Sequence, residues 1–278
     1  MQCECTVLCE NSVAGSLGFI GEHGWAVHIK AGDKNILFDT GQGLGLIHNS
    51  KLLDIDLKKI DAIVISHGHY DHTSGLPDVL HMTGNKQVFL HPDCFTNRYW
   101  TKDGECREIG IRYKKEYLES LGAVFVPNTQ LTEIADNVFL TGEIPRVSSF
   151  EQPDPFMKIK GPKDEWQQDN LLDDQSLVMR TDKGLVIILG CAHAGLINIL
   201  THVNKQFPGE NIYAVFGGTH LGFADDEQFE ATVAALDDFS IQKIGASHCT
   251  GLSNTAKLHH RFGERFFFSS VGCHFNSD

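Results

Sequence analysis

The sequence predicts an α/β fold in which two β-sheets pack face to face and carry helices on their outer sides. Short apolar runs rich in β-branched residues alternate along the chain with segments of helical periodicity. The alternation occurs in two successive halves, and neither a repeat nor a linker-like stretch separates them. Such a pattern is typical of layered α/β architectures. We therefore expect a single domain over residues 1–278.

The first half of the chain begins with a predicted hairpin, because a polar turn containing Gly32 lies between two apolar runs. A run of β-branched residues then predicts a buried strand, and Gly84 is a plausible end for the helix that follows. The elements expected in this half are strands at 27–29, 36–38, 60–65, 87–90 and 123–126, and helices at 73–82 and 114–121.

The second half starts with an irregular segment at 145–175, which is polar and contains four prolines. A segment of this kind could cover a site. Regular patterns then return, with strands expected at 176–180, 185–189, 212–216 and 241–246 and helices at 195–206 and 226–236.

The amino-acid composition restricts the classes of molecule that the protein is expected to bind. The 278 residues carry a formal net charge of −13, which repels nucleic acid and anionic membranes at long range. A small anionic or phosphorylated substrate stays compatible with a local basic pocket. No apolar run approaches the roughly 18–20 residues that span a bilayer, and the N-terminus lacks the pattern of a secretory signal. We expect a cytoplasmic protein without nucleic-acid or membrane partners, whose eight cysteines are thiols. Nothing in the sequence indicates an oligomeric state.

The main chemical signal is a cluster of four potential metal ligands, His67, His69, Asp71 and His72, directly after the strand predicted at 60–65. Imidazole and carboxylate are ligands that zinc and related divalent cations favour. Gly68 permits backbone angles that turn several side chains toward one point. The alternative is a surface histidine tract, but such a tract would lack the internal aspartate and the preceding strand.

Three later histidines, His193, His220 and His248, also stand just after apolar strands. We expect His193 and His248 to complete a two-metal site, while His220 is a ligand, a proton carrier or a substrate contact. Asp39 ends an early strand and either orients a ligand histidine or caps a turn. Cys191 is a thiolate ligand or a small buried residue. His23, beside Gly24, and His274, two residues after Gly272, are further site candidates. Cys3, Cys5 and Cys9 could form a partial metal knuckle.

The run His67-Gly68-His69-Tyr70-Asp71-His72 resembles the His-x-His-x-Asp-His motif of the metallo-β-lactamase superfamily. The resemblance implies a four-layer αββα sandwich with two divalent metal ions, zinc first, with iron or manganese as alternatives. It also matches Asp39 to an early strand-end aspartate and His248 to a late histidine ligand. The middle of the chain departs from the common pattern, since Gly190-Cys191 stands where Gly-Asp is usual. The middle ligand is His193, with Cys191 or Asp174 as alternatives.

Several finer motifs are similar to the 7,8-dihydropterin-6-methyl-4-(β-D-ribofuranosyl)-aminobenzene 5′-phosphate synthase branch, among them residues 142–146, 174–177, 190–195 and 217–221. This resemblance implies a transferase in which an arylamine nitrogen displaces diphosphate from a pterin diphosphate. Arg146 would then bind a phosphate, or else be a solvated surface arginine, and Asp71 or Glu143 would accept the amine proton. The alternatives are a hydrolase of a phosphoester, lactone or thioester, and a metal-dependent ligand sensor without turnover.

Overall fold

The computed structural model describes residues 1–278. It contains three β-sheets, two of seven strands and one of four. The strands are β1 (Cys3–Cys9), β2 (Ala26–Ala31), β3 (Lys34–Phe38), β4 (Ala62–Val64), β5 (Lys86–Leu90), β6 (Arg98–Lys102), β7 (Glu105–Glu108), β8 (Ala123–Pro127), β9 (Thr132–Ala135), β10 (Val138–Leu140), β11 (Met157–Lys160), β12 (Trp166–Gln168), β13 (Leu177–Thr181), β14 (Gly184–Leu189), β15 (Ile212–Gly218), β16 (Lys243–Ser247), β17 (Phe266–Phe268) and β18 (His274–Asn276). The helices are α1 (Leu46–Leu52), α2 (Tyr70–Thr73), α3 (Leu76–Thr83), α4 (Lys115–Ser120), α5 (Leu196–Gln206), α6 (Asp226–Ala235) and α7 (Leu252–Phe262).

The two large sheets pack face to face and carry helices outside. Their orders are β18-β1-β2-β3-β4-β5-β8 and β17-β16-β15-β14-β13-β10-β9. In β14, Val186 and Ile188 belong to the core shared by both sheets, whereas Leu185, Ile187 and Leu189 pack against the outer helices. Because side chains alternate along a strand, one continuously apolar strand serves both layers. The predicted two-sheet arrangement is confirmed.

The functional loops gather at one edge because neighbouring strands are parallel. β3, β4, β5 and β8 run parallel in the first sheet, and β14, β15, β16 and β17 run parallel in the second. The carboxyl ends of parallel strands meet at the same edge of a sheet, where ligands commonly bind. The residues that follow β3, β4, β14, β15 and β16 therefore approach one another.

The segment at 145–175 is less irregular than we expected. It contributes β11 and β12 to the four-stranded sheet β12-β11-β6-β7. β6 and β7 form a hairpin whose turn residues, Asp103 and Gly104, have φ of 52° and 85°. The prolines of the segment lie outside its two strands, so they leave the pairing intact.

The helix expected at 73–82 is divided into α2 and α3. Gly75, between them, packs so closely that a Cβ atom would overlap the carbonyl oxygen of Thr40, and Pro77 then stands in the first turn of α3. No helix in the structure combines the length and the apolar character that crossing a bilayer requires.

Candidate metal centre

The loop from Ser66 to His72 is held in place by close packing at Gly68. A Cβ atom on Gly68 would overlap the carbonyl oxygen of Cys94 and lie 2.7 Å from Nη1 of Arg98. The backbone N–H of Gly68 donates to Oδ2 of Asp173 at 2.7 Å, and Arg98 donates to Oδ1 of the same aspartate at 2.7 Å. A buried ion pair thus fixes the turn that presents the histidines.

The first donor group consists of His67, His69 and His193, whose ligand atoms all lie within 4.8 Å of one another. Nε2 of His67 is 3.0 Å from Nδ1 of His69. Neither ring nitrogen of buried His193 has a hydrogen-bond partner, and Nε2 of His69 has none. Burial lowers the pKa of all three imidazoles well below its ordinary value, so they are neutral and offer lone pairs.

The second donor group consists of Asp71, His72 and His248. Nε2 of His248 lies 3.2 Å from Nε2 of His72 and 3.3 Å from Oδ2 of Asp71. Burial alone would raise the pKa of Asp71, but His72 and hydrogen bonds from His23 and His248 hold it well below its usual range. The side chain is therefore a carboxylate.

Both groups fit a divalent cation. Zinc–nitrogen bonds of about 2.0–2.1 Å in a tetrahedron place donor atoms roughly 3.4 Å apart. The shortest separations in the two groups are 3.0 Å and 3.2 Å. Unpartnered imidazole nitrogens in a buried cluster are also costly unless something binds them. The donors combine nitrogen, oxygen and nearby sulfur, a set that suits zinc and iron.

Asp39 stabilises the second donor group without belonging to it. It is fully buried, and its Oδ2 lies 2.7 Å from Nδ1 of His72. The backbone N–H and hydroxyl of Ser66 both donate to it at 2.7 Å, and the same hydroxyl lies 2.9 Å from Nδ1 of His67. Burial opposes the charge on His72, but Asp39 and Asp71 raise its pKa to about 9. One carboxylate therefore orients a ligand in each group.

Cys191 follows β14 and lies between the groups. Its Sγ is 3.2 Å from Nε2 of His72 and within 4.8 Å of a ring nitrogen of His67. Ala192 next to it has φ of 54°, which turns the chain between Cys191 and His193. Non-glycine residues hold such angles at a cost of about 1–3 kcal/mol, and Asp39, His220 and His248 in the neighbouring loops do so too.

Comparison with known proteins identifies the family to which this arrangement of metal-binding residues belongs. A family model described as the metallo-beta-lactamase superfamily matches residues 20–166. The chain is also 33% identical over 270 residues to the 7,8-dihydropterin-6-methyl-4-(beta-D-ribofuranosyl)-aminobenzene-5'-phosphate synthase of Methanocaldococcus jannaschii, covering 93% of this chain and 91% of that one. The chain belongs to the metallo-β-lactamase superfamily. The resemblance seen in the sequence motifs is confirmed.

Solved structures agree on the superfamily fold. Tm1679, described as a metal-dependent hydrolase of the β-lactamase superfamily, superposes with a TM-score of 0.84 at 30% identity, covering 98% of each chain. Zn²⁺-bound PqqB from Methylobacterium extorquens superposes with a TM-score of 0.55 at 10% identity, covering 98% of this chain and 99% of that one. The second likeness concerns the fold alone. The expected four-layer αββα sandwich is confirmed.

Three residues expected at the superfamily site lie elsewhere or act indirectly. Arg146 donates to the carbonyl oxygens of His193 at 2.8 Å and Ala194 at 3.1 Å, so it fixes the ligand loop. Asp174 accepts from the N–H of Ala194 at 2.9 Å and belongs to neither donor group. Burial raises the pKa of Asp174 to about 7. Glu143 is half exposed, pairs with His91 at 3.2 Å, and does not line the cavity over the donors.

The structure also brings in residues that the sequence did not mark strongly. Nε2 of His23 lies 3.1 Å from Oδ2 of Asp71, and in the sequence His23 was singled out by its adjacent glycine. Asp154, from the proline-rich segment, lies 3.6 Å from Nε2 of His220, and no local pattern indicates it. His274 bonds to Thr6 on β1, away from the site. The side chains of Cys3 and Cys5 are buried in the core between the large sheets, so they form no metal knuckle with Cys9, whose thiol bonds to Glu22.

One cavity lies over the donors, and a second, larger cavity shares lining residues with it. The inner cavity, about 330 Å³, is lined by members of both donor groups, Cys191 and Trp100. The outer cavity, about 790 Å³, contains Trp100, Phe150, Phe156 and Asp154. His220 and Phe223 line both. The donors therefore line the inner cavity, and aromatic side chains dominate the apolar lining of the outer one.

Proposed function

We propose that this chain is a transferase that holds two divalent cations, zinc being the first candidate, and joins a pterin diphosphate to an arylamine carrying a ribofuranosyl phosphate. Diphosphate is released. The observation that carries the proposal is the 33% identity to the Methanocaldococcus jannaschii synthase, because it extends over 93% of the chain instead of the metal motif alone.

The donor geometry supports two cations side by side. His67, His69 and His193 would hold one cation, and Asp71, His72 and His248 the other. When bound, the cations supply positive charge that clamps and neutralises a leaving diphosphate. Because the net charge of −13 repels an anionic substrate at long range, a local centre of positive charge would favour its binding.

The outer cavity supports a planar substrate. Trp100, Phe156 and Phe223 line it, and aromatic side chains stack on flat rings with a gain of about 0.5–1.5 kcal/mol per pair. Lys102 lies 4.8 Å over the ring of Phe156 and offers a cation at the same wall. A pterin or an arylamine with a terminal phosphate matches this combination.

His220 supports departure of the diphosphate. Burial disfavours its charge, but Asp154 and Cys249 raise its pKa to about 9, so it is a cation at neutral pH. In the proposed reaction the arylamine nitrogen attacks the methylene carbon of the pterin, the carbon–oxygen bond to diphosphate breaks, and the amine proton passes to solvent. The imidazolium donates a hydrogen bond to the departing oxygen.

The test is diphosphate release by metal-loaded protein. Release that needs both the pterin diphosphate and the arylamine phosphate, with formation of the coupled product, is the expected result. Reactions that lack either substrate are the controls. Release at the same rate without the amine would contradict the proposal.

A metal-dependent hydrolase is the second candidate, and the structural likeness to Tm1679 favours it. In that reaction the same cations would activate a water molecule. Turnover of a phosphoester, lactone or thioester without an amine would support hydrolysis. Tight binding of one of these compounds without turnover would instead support the third function, a metal-dependent ligand sensor.

A further inference from the structure

The two cavities of the site differ in the charge of their lining. The outer cavity contains the carboxylates of Asp154, Asp225 and Glu227, and its only lysine or arginine is Lys102. The inner cavity contains a single arginine, Arg107, and its only carboxylate belongs to the second donor group. Because like charges repel, a phosphate at the end of a substrate is disfavoured in the outer cavity and favoured beside the arginine.

Arg107 reaches the inner cavity from the four-stranded sheet. It stands directly opposite Trp100 in the hairpin of β6 and β7, so the two side chains share a face of the sheet, and both line the cavity. The guanidinium lies 5.4 Å from the centre of the Trp100 ring, within the range of a cation–π contact. It also donates to Glu105 at 2.8 Å, and both side chains of this ion pair are more than half exposed. Exposed ion pairs are weak, so a phosphate can displace the carboxylate.

Arg112 places a second guanidinium beside the same cavity. It is exposed and lies 4.4 Å over the ring of Tyr70, which lines the inner cavity. Burial and Asp71 raise the pKa of the Tyr70 hydroxyl, whereas the charges of Arg112 and Arg107 oppose this rise. Both guanidinium groups therefore act on the same point of the cavity wall.

The segment that carries the two arginines is fixed to the histidine loop. The N–H of Tyr70 donates to the carbonyl of Ile109 at 3.0 Å, and His69 forms an isolated antiparallel bridge with Gly110. The N–H of Ile109 in turn donates to the carbonyl of Arg98, on β6, at 2.9 Å. One arginine precedes this attachment and the other follows it. Backbone hydrogen bonds thus set their position relative to the donor groups.

We propose that Arg107 and Arg112 bind the terminal phosphate of the arylamine substrate at the inner cavity, and that the pterin occupies the outer cavity. This inference rests on the proposed function and assigns its two substrates to different cavities. Guanidinium groups bind phosphate through paired, charge-assisted hydrogen bonds. An arylamine held by its phosphate at this wall can direct its nitrogen toward the donors. The carboxylates of the outer cavity can accept hydrogen bonds from the N–H groups of a pterin.

The experiment uses metal-loaded full-length protein and measures KM for each substrate and, by calorimetry, the dissociation constant of the arylamine ribofuranosyl phosphate. Arg107→Ala should raise both constants for this compound about tenfold, because charge-assisted hydrogen bonds to the phosphate are lost. Arg112→Ala should act in the same direction. For the dephosphorylated arylamine, and for kcat and the KM of the pterin diphosphate, both variants should stay within about twofold of the unsubstituted protein, since none of these depends on the phosphate contact.

Two further variants separate charge from structure. Glu105→Gln removes the carboxylate that competes for Arg107, so it should tighten binding of the arylamine phosphate by about two- to fivefold. Arg261→Ala is the control, because Arg261 is also an exposed arginine paired with a carboxylate, that of Asp237, and it lines neither cavity. It should leave every constant unchanged.

The site would be overturned by an equal loss of affinity for the phosphorylated and dephosphorylated arylamine in Arg107→Ala, or by a KM that rises for the pterin diphosphate alone. Affinity for the phosphorylated compound that is unchanged in both alanine variants would overturn it too. Arginine-dependent binding of the arylamine phosphate without coupling to the pterin would support the site and overturn the proposed transfer reaction. A protein that does not bind the arylamine phosphate at all would overturn both.

Discussion

Asp39→Asn is the substitution that best separates the support of the metal centre from its ligands. Asp39 receives 2.7 Å contacts from Nδ1 of His72, the N–H of Ser66 and the hydroxyl of Ser66, and it is fully buried. Asparagine has the same shape but keeps one acceptor oxygen, and its amide must face at least one of these donors. We expect metal affinity to fall about 10–100-fold, as it does when the outer partner of a ligand histidine is lost.

The same substitution should lower the free energy of unfolding of the metal-free protein by about 1.5–3 kcal/mol, since hydrogen bonds to a buried charge are lost. Metal affinity is measured by competition with a chelator, and stability by denaturant titration. Asp61→Asn is the control, because Asp61 is exposed and accepts one bond, from Asn35 at 2.8 Å; its effect should stay within about 0.5 kcal/mol. Metal affinity in Asp39→Asn within twofold of the unsubstituted protein would refute the reasoning.

Three further predictions concern His220 in the cavities, the packing of Gly68 in the histidine loop, and the proton on His72. His220→Gln should lower kcat about 10²–10⁴-fold with metal content unchanged, whereas loss of metal would show that His220 is a ligand. Gly68→Ala should destabilise the fold by about 1–3 kcal/mol in denaturant titration, because its Cβ would overlap the carbonyl of Cys94; an unchanged midpoint would contradict the packing. The proton that Asp39 and Asp71 stabilise on His72, with a pKa of about 9, strengthens the metal-free fold below pH 6.5, and this contribution is lost as pH rises through 9. Metal competes with the proton on His72, so the apparent metal affinity should increase by up to about tenfold for each unit that the pH rises toward 9. A metal affinity that does not change with pH would contradict this competition.

Much of the layered core follows from local pattern. Continuous apolar strands such as β14 and β15 are visible in the sequence because both of their faces are buried. β1 was missed because its cysteines look like metal ligands when they are buried core residues. β7 was missed because it is entirely exposed, so no alternation of buried and exposed residues marks it. α7 was missed although its buried residues, Thr255, Leu258 and Phe262, follow a helical spacing.

The candidate site likewise contains some residues that the sequence predicts and others that it does not. Residues that directly follow a strand, such as His67, His193 and His248, are predictable because strand ends converge at one edge. Asp154 and Arg146 are not, because their roles depend on how the proline-rich segment folds back over that edge. Local sequence cannot give such long-range contacts, and the roles expected for Arg146 and Glu143 came from motif resemblance alone.

Anomalous diffraction from metal-loaded crystals tests the central claim most directly, namely that two sets of side chains converge on two cations. We expect two peaks, one among His67, His69 and His193 and the other among Asp71, His72 and His248. His67→Ala should lose the first peak while the fold is kept. A map without peaks at either group under metal-replete conditions, or an unchanged pair of peaks in His67→Ala, would contradict the account.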